Sequence, residues 1–304
     1  MITKRREKTK DLMLYDLLVH RMDFSIKDRQ TYEKMKQGYE GERRFDQLFD
    51  ETNGDSLILQ DLLFTHNNTT FQIDSVIITA DTIFLLEIKN YKGDFIYEND
   101  KLVKMPNTEI IQPLHQLHRS EALFRNMMLG FKYTLPIKSL VIFIHPHFTL
   151  YQAPVKIPFV LPTQVQSFVQ KLHRNSTMNI TERHHLIAKE LLNHHISQSK
   201  FRNVADYHYD ELQKGIYCRN CKQFFDIAYP ERKYLVCAHC NEKEDVNTAV
   251  LRCVNEYKIL FPNEKVTTNN ILDWCAIITS KKRIRKILRE NYEVKGTKQW
   301  TYYI

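Results

Sequence analysis

The 304-residue sequence lacks a hydrophobic run long enough to cross a membrane. Its longest apolar stretches, such as SLVIFIHP at 139–146, fall far short of the roughly 20 residues that a transmembrane helix needs. The basic N-terminus, MITKRREKTKDLMLYDLLVH, is followed by no small-residue cleavage site, so we expect no signal peptide. Internal repeats and low-complexity tracts are also missing. We therefore expect a cytoplasmic protein with no membrane partner.

The composition is that of a folded, basic protein. Hydrophobic residues make up 43% and charged residues 26%, which excludes an intrinsically disordered chain. The formal net charge of +8 and a pI near 9.0 favour polyanionic partners, most often nucleic acid.

Changes in periodicity and composition predict five segments along the chain. They are a basic leader (1–30), an α/β domain (31–175), a helical connection (176–213), a cysteine-paired module (214–246) and a basic helical unit (247–304). Within the second segment the pattern predicts a helix, three strands, a hairpin, a helix, two strands and a helix. This order is typical of an α/β fold with a mixed central sheet flanked by helices.

Two acids and one lysine interrupt an apolar hairpin at 71–90, FQIDSVIITADTIFLLEIKN. A turn centred on 80–81 would place Asp74 directly opposite Glu87. Lys89 follows two residues later, so it lies on the same face of the strand. Like charges opposite each other destabilise a sheet by up to about 1 kcal/mol, so a compensating group is expected.

A divalent metal ion would compensate the two acids, because Mg²⁺ binds one or two carboxylates together with water and substrate oxygens. The nearby lysine would orient a water molecule or stabilise charge developing on a phosphorus centre. The alternative is a structural ion pair between Lys89 and either Glu87 or Asp74.

The preceding predicted helix, at 31–51, carries one further acid. Glu42 falls on its apolar stripe, where a carboxylate needs a partner. Gly38 and Gly41 remove side-chain bulk beside it and would allow close approach to the sheet. The alternative is that the apolar stripe is one residue narrower and leaves Glu42 outside it.

Four short motifs in this region resemble the nuclease-related domain (NERD) family. They are GYEGE (38–42), FQID (71–74), EIKNYKG (87–93) and QPLHQ (112–116). Their order and spacing match over residues 31–150, with Gln112 as a mild departure from the usual Asn or Asp. The chain is also similar to bacterial NERD proteins of comparable length that carry a cysteine-paired tail.

The resemblance implies a restriction-endonuclease-like fold of the PD-(D/E)xK superfamily. It also implies that Asp74 and Glu87 bind Mg²⁺ or Mn²⁺ and that Lys89 is the catalytic lysine. Glu42 would be an additional acid, and Gln116 the motif glutamine of the second core helix. The implied activity is metal-dependent hydrolysis of DNA phosphodiester bonds.

The cysteine-paired module (214–246) contains two pairs of cysteines. Cys218-x2-Cys221 is followed after fifteen residues by Cys237-x2-Cys240, a spacing typical of a four-cysteine Zn²⁺ site. We expect a closed, structural zinc ribbon whose strands are FFDIAY and KYLVC. His239 as a replacement ligand and a redox role for either pair remain alternatives.

The last predicted helix is strongly basic. Six of its residues are candidate nucleic-acid ligands: Lys281, Lys282, Arg283, Arg285, Lys286 and Arg289. With the following hairpin, the unit loosely resembles a winged helix. If all six met phosphates, the logarithm of affinity would fall against log salt with a slope of about −5. The alternative is a basic helical cap with no nucleic-acid role.

Two histidine pairs, at 184–185 and 194–195, are interpreted as solvent-facing because no acid or cysteine completes a metal site. The sequence as a whole predicts a metal-dependent DNA nuclease with zinc-ribbon and basic C-terminal nucleic-acid contacts. The alternative functions are a non-catalytic nucleic-acid-binding protein and a regulatory protein that keeps the nuclease-like fold.

Overall fold

The structure, a computed structural model, describes residues 1–50, 56–132, 135–174, 179–196, 204–225 and 233–304. These ranges contain eight α-helices: α1 (Lys10–Leu18), α2 (Ile26–Asp50), α3 (Pro113–Met128), α4 (Pro162–Arg174), α5 (Glu182–His194), α6 (Val246–Leu260), α7 (Thr268–Cys275) and α8 (Lys281–Asn291). The first seven strands are β1 (Ile2–Lys4), β2 (Leu57–His66), β3 (Thr69–Ile78), β4 (Ile83–Lys89), β5 (Gly93–Glu98), β6 (Lys101–Lys104) and β7 (Thr108–Ile110). The remaining strands are β8 (Ile137–Phe143), β9 (Phe148–Tyr151), β10 (Phe159–Val160), β11 (Tyr234–Val236), β12 (Lys243–Asp245), β13 (Val294–Lys295) and β14 (Tyr302–Tyr303).

The chain forms two compact units, each built from separate stretches of sequence. Unit 1 contains Met1–Lys8 and Glu33–Arg202, and unit 2 contains Thr9–Tyr32 and Asn203–Ile304. The first 32 residues therefore contribute to both units. In the described part of the chain, no helix is long and apolar enough to span a membrane.

Unit 1 is built around a six-stranded sheet with the order β1-β2-β3-β4-β8-β10. The strands β2, β3 and β4 are antiparallel, whereas β1 runs parallel to β2, and β4, β8 and β10 are mutually parallel neighbours. The predicted mixed central sheet flanked by helices is thus confirmed.

Helices cover both faces of this sheet, because successive strand residues point to opposite sides. Ile77 of β3 packs in the core with Phe45 of α2 and with apolar residues of α4. Its neighbour Val76 packs on the other face with Phe124 of α3 and with residues of α5. The predicted acid-bearing strands therefore lie at the centre of a three-layer domain.

A second sheet of unit 1, with the order β7-β6-β5-β9, packs beside α3. Its β5–β6 hairpin turns at Asn99 and Asp100. Both residues adopt positive φ angles of 49° and 58°, which suit the tight turns favoured between antiparallel strands.

Unit 2 packs α1, α6, α7 and α8 around the fully buried Trp274. The helices α6, α7 and α8 begin at caps formed by Asp245, Thr267 and Ser280. The hydroxyl of Thr267, for example, accepts the N–H of Asn270. Arg21, from the N-terminal stretch of the same unit, forms a buried ion pair with Glu256 at 2.6 Å.

Candidate functional site

The predicted pairing of the acid-bearing hairpin is present, but it ends one residue before the acids. Ser75 pairs with Leu86, and the antiparallel ladder goes no further in this direction. Oδ2 of Asp74 instead accepts the backbone N–H of Ile88 at 2.8 Å. The predicted register is therefore confirmed as far as Ser75 and Leu86, and the predicted pairing of Asp74 with Glu87 lies just beyond the ladder.

The structure brings Glu87, Lys89 and Gln116 into direct contact. Nζ of Lys89 lies 2.6 Å from Oε1 of Glu87 and donates to Oε1 of Gln116 at 3.1 Å. Glu87 and Lys89 share the face of β4 that α3 covers, so the glutamine reaches the lysine from the helix above. The motif glutamine of the sequence thus positions the lysine ammonium.

Glu87 and Asp74 are nearly inaccessible to solvent, at 3% and 7% exposure. Burial raises the pKa of Glu87 to about 8; the charge of Asp74 acts in the same direction, and Lys89 opposes it. Burial also raises the pKa of Asp74, although the N–H of Ile88 and the charge of Lys89 oppose the change. One lysine therefore does not neutralise the pair of acids.

Lys89 keeps its positive charge in this setting. Burial alone would lower its pKa, but the nearby carboxylates of Glu87 and Asp74 outweigh burial and raise the pKa. The ammonium group is thus a permanent donor, able to stabilise negative charge or orient a water molecule.

Arg6 is a functional candidate that the sequence did not reveal. Its buried guanidinium binds Oε2 of Glu42 at 2.6 Å and Oδ2 of Asp46 at 3.0 Å. A further N–H of the same group donates to the backbone carbonyl of Asp74 at 2.6 Å. The backbone N–H of Arg6 donates to the buried side chain of Gln60, which fixes the segment that follows β1. Arg6 therefore connects α2 to the acid-bearing strand.

Glu42 lies at the edge of the group formed by Arg6, Asp46 and Asp74, and its pKa is also raised. Burial raises its pKa to about 8; Asp74 adds to this shift and Arg6 opposes it. Asp46, one helical turn later, also has a pKa raised by burial against the effect of Arg6. We call Glu42, Asp46, Asp74 and Glu87 the acid cluster.

The approach of α2 to β4 depends on Gly41. A Cβ atom at this position would lie 2.3 Å from Cβ of Asn90, a distance that real side chains do not adopt. Gln37 and Asn90 each donate a side-chain hydrogen bond to the other's backbone carbonyl, at 2.7 and 2.8 Å. The predicted close approach is confirmed at Gly41 but not at Gly38, which has nothing within 4 Å.

The acid cluster has a donor set that fits a divalent cation. Asp74 and Glu87 offer two carboxylates, the number that Mg²⁺ commonly uses beside water and substrate oxygens. Burial is the main cause of their raised pKa values, so a bound cation would favour their ionised forms. Glu42 is held by Arg6 instead, so its part as an additional acid stays a prediction.

The four predicted cysteines form a compact cluster in unit 2, and their ligand sulfurs all lie within 4.8 Å of one another. Each pair forms the same turn: the N–H of Lys222 donates to the carbonyl of Cys218, as that of Asn241 donates to Cys237. Lys222 and Asn241 adopt left-handed φ angles of 66° and 58°. We call Cys218, Cys221, Cys237 and Cys240 the cysteine cluster.

The cysteine cluster fits a tetrahedral metal ion. The sulfurs of Cys218 and Cys240 lie 3.6 Å apart, and those of Cys221 and Cys237 lie 3.5 Å apart. Four sulfurs around Zn²⁺ lie about 3.8 Å apart, whereas a disulfide would bring two of them to about 2.05 Å. With four protein ligands such a site is closed and structural.

One predicted strand of the ribbon is confirmed and one is not testable. The segment KYLVC contains β11. This strand pairs antiparallel with β12, with Tyr234 opposite Asp245 and Val236 opposite Lys243. FFDIAY lies partly outside the described residues, and within them Phe224 forms an isolated bridge with Tyr217.

The basic helix α8 places its apolar residues inside unit 2, where Ile284, Ile287 and Leu288 are buried. Five of its six predicted nucleic-acid ligands are exposed: Lys281, Lys282, Arg285, Lys286 and Arg289. Arg283 is half-buried and lies 3.5 Å from the side-chain oxygen of Asn247. The helix thus presents a cationic surface, and its contact with nucleic acid stays a prediction.

One histidine departs from the solvent-facing interpretation. His184 of α5 is buried, and its Nε2 lies 3.0 Å from the carbonyl oxygen of Ala80. Its Nδ1 meets Thr181 at the start of the helix at 2.9 Å. The residue therefore caps α5 and joins it to the β3–β4 turn, a structural role.

Comparison with known proteins gives one match. Residues 37–144 match the family model described as Nuclease-related domain. This stretch is a NERD domain. It contains Glu42, Asp74, Glu87, Lys89 and Gln116, whereas Arg6 and the cysteine cluster lie outside it. No curated protein and no solved structure matched the chain.

Proposed function

We propose that the protein is a metal-dependent nuclease that hydrolyses DNA phosphodiester bonds. The observation that supports this most strongly is the contact of Lys89 with Glu87 and Gln116 inside a NERD domain. A charged lysine beside under-neutralised, buried carboxylates is unusual in a purely structural core, because buried charges normally come paired.

Each side chain of the site has a distinct task in this proposal. Asp74 and Glu87 hold Mg²⁺ or Mn²⁺, which when bound polarises a phosphoryl oxygen and favours ionisation of water. The N–H of Ile88 fixes the carboxylate of Asp74. Lys89 donates to the phosphate or to the attacking water, and Gln116 keeps its ammonium group directed.

Unit 2 supplies the nucleic-acid contact in the same proposal. The cysteine cluster holds Zn²⁺ as a structural ion, and the exposed cations of α8 bind phosphates. Phosphate contacts of this kind give affinity without sequence preference.

The test is cleavage of DNA by the full chain with Mg²⁺ or Mn²⁺, comparing wild type with Asp74→Ala and Lys89→Ala. We expect Lys89→Ala to lower the cleavage rate about 100- to 1,000-fold while DNA affinity is kept. Lys101→Ala is the matched control, because Lys101 forms only an exposed ion pair with Glu109. Absence of cleavage by the wild type with either ion, or equal rates for all variants, would contradict the proposal.

A second candidate is a non-catalytic nucleic-acid-binding protein. It is favoured because each candidate catalytic acid already contacts another group of the protein. Glu87 is ion-paired with Lys89, Glu42 is ion-paired with Arg6, and Asp74 accepts the backbone N–H of Ile88. Such a protein would bind DNA with a strong salt dependence carried by α8 and would cleave it under no condition.

A further inference from the structure

The two tryptophans of the chain have opposite surroundings in unit 2. Trp274 is fully buried at 0% exposure, whereas Trp300 is 76% exposed. An indole ring is among the largest apolar side chains, so leaving it in water forgoes a substantial burial free energy. Trp300 is therefore a candidate for contact with a partner.

The loop that displays Trp300 has a defined conformation. It joins β13 to β14, in the register Val294 with Tyr303 and Lys295 with Tyr302. Gly296 adopts a φ of +74°, and a Cβ atom there would lie 2.3 Å from the carbonyl oxygen of Trp300. The turn thus requires glycine so that the tryptophan backbone can pass close by.

The hairpin is anchored by residues other than Trp300. Tyr303 is buried at 2% exposure, and its N–H donates to the carbonyl of Val266 at 2.9 Å. The backbones of Glu293 and Ile304 exchange hydrogen bonds at 3.2 and 3.1 Å. The core of unit 2 therefore holds the hairpin, and the indole is left to face outward.

The surroundings of Trp300 are cationic. Residues 281–304 contain eight lysines and arginines against two glutamates. Lys295 at the end of β13, which forms an ion pair with Glu293, and Lys298 in the loop belong to the hairpin itself. Nζ of Lys265 lies 4.7 Å from the ring centre of Tyr302. A polyanion fits this charge, and one with flat apolar faces also fits the indole.

We propose that Trp300 is a stacking site for an unpaired nucleobase. In this proposal α8 and the β13–β14 hairpin together bind single-stranded nucleic acid. Aromatic side chains beside cationic grooves bind single strands in this manner, because every base presents a π-face once it is unpaired. The duplex interior hides those faces, whereas phosphates are available in both forms. This inference rests on the proposed nucleic-acid contact of α8.

Intrinsic fluorescence of the full chain tests this directly, because Trp300 is the exposed one of two tryptophans. The probes are oligothymidylate of about 12 nucleotides and an abasic deoxyribose-phosphate strand of equal length and charge. We expect only the base-containing strand to quench the tryptophan emission. The buried Trp274 should respond to neither strand.

Affinity measurements on variants complete the test. Trp300→Leu should weaken oligothymidylate binding about 5- to 150-fold and leave abasic binding unchanged, while Trp300→Phe should retain part of the affinity. Tyr151→Leu is the matched control, since it removes an exposed aromatic residue from unit 1. Circular dichroism and the Trp274 emission report whether each variant is folded.

The outcomes separate this inference from the proposed function. Equal affinity for the two strands, unchanged in Trp300→Leu, would overturn base stacking while leaving the phosphate contact in place. Failure of the wild type to bind either strand at low salt would overturn both the α8 contact and the stacking site. Neither the fluorescence measurement nor the affinity measurement depends on cleavage activity.

Discussion

The cysteine cluster of unit 2 and the acid cluster of unit 1 are both candidate metal sites, and they differ in what already surrounds the ligands. The cysteine sulfurs lie within 4.8 Å of one another and turn toward a common centre. The acids are instead held by Lys89, Arg6 and the N–H of Ile88. Four converging protein ligands make a closed site, whereas carboxylates with partial neutralisation leave room for water and substrate.

The two clusters differ in the chemistry of their ligands and in what stabilises the fold around them. A closed thiolate site is stabilised by its own ion, and here Cys218 and Cys237 also pack into the apolar core of unit 2. The acid cluster lies within unit 1, and burial is the main cause of its raised pKa values. The following predictions act on one cluster at a time.

The largest effect is expected from removing the metal of the cysteine cluster. Cys240→Ser should abolish stoichiometric zinc and unfold the ribbon, because structural zinc contributes on the order of 10 kcal/mol to such modules. Elemental analysis measures the zinc content. Tryptophan fluorescence follows unit 2 selectively, since Trp274 and Trp300 both belong to it.

His239→Ala is the matched control for this change. His239 is exposed and adjacent to Cys240 in the same turn, so its removal should leave the zinc content unchanged. Full zinc occupancy in Cys240→Ser, with loss in His239→Ala, would show that the histidine completes the site.

A smaller effect is expected from Arg6→Gln in unit 1. The change leaves the buried Asp46 and the partly buried Glu42 without their cation, and breaking a buried pair of this kind costs about 3–5 kcal/mol of unfolding free energy. Chemical denaturation followed by circular dichroism measures it, with the fluorescence of unit 2 as an internal reference.

Arg5→Gln provides the comparison for Arg6. Arg5 is the preceding residue, and its ion pair with Asp50 is solvent-exposed, so its loss should cost at most about 1 kcal/mol. Equal stability of the two variants would contradict the assignment of Arg6 as the residue that joins α2 to the acid-bearing strand.

A pH dependence of stability is also expected for unit 1. Burial raises the pKa of Glu42 and of Glu87 from 4.5 to about 8, so folded unit 1 keeps protons that the unfolded chain has lost. Its unfolding free energy should therefore fall as pH rises from about 4.5 to about 8.

Mg²⁺ should counter this loss, because it binds the ionised carboxylates. The melting temperature of unit 1, followed by circular dichroism, should gain more from Mg²⁺ at a pH of about 8 than at about 6. Glu87→Gln should flatten both responses. A gain from Mg²⁺ that is equal at the two pH values would argue against an acid site.

The sequence predicted the local features of the candidate site well. The alternation of apolar residues in β3 and β4 correctly predicted their pairing, which ends at Ser75 and Leu86. It also correctly predicted that Lys89, two residues after Glu87, lies on the same face of β4. It did not predict that β4 pairs in parallel with β8 along its whole length, because that pairing begins 54 residues later in the chain (Ile83 with Ile137).

Arg6 could not be predicted as a site residue from the sequence. The residue lies in a basic segment without periodicity, and its partners are 36 to 68 residues away, so no spacing rule connects them. Asp46 was within reach of such a rule, because it lies one helical turn after Glu42 on the same helix. Side chains that join distant segments thus become visible only when the strands are packed.

The most direct test of the account is Mn²⁺ binding by the full chain, measured by electron paramagnetic resonance with zinc already in place. Mn²⁺ favours carboxylate over thiolate ligands, so the signal reports the acid cluster. We predict saturable binding by the wild type and by Asp94→Asn, which alters an exposed acid, and loss of that binding in Glu87→Gln. Wild-type Mn²⁺ binding in Glu87→Gln would contradict the assignment of the acid cluster as a divalent-cation site.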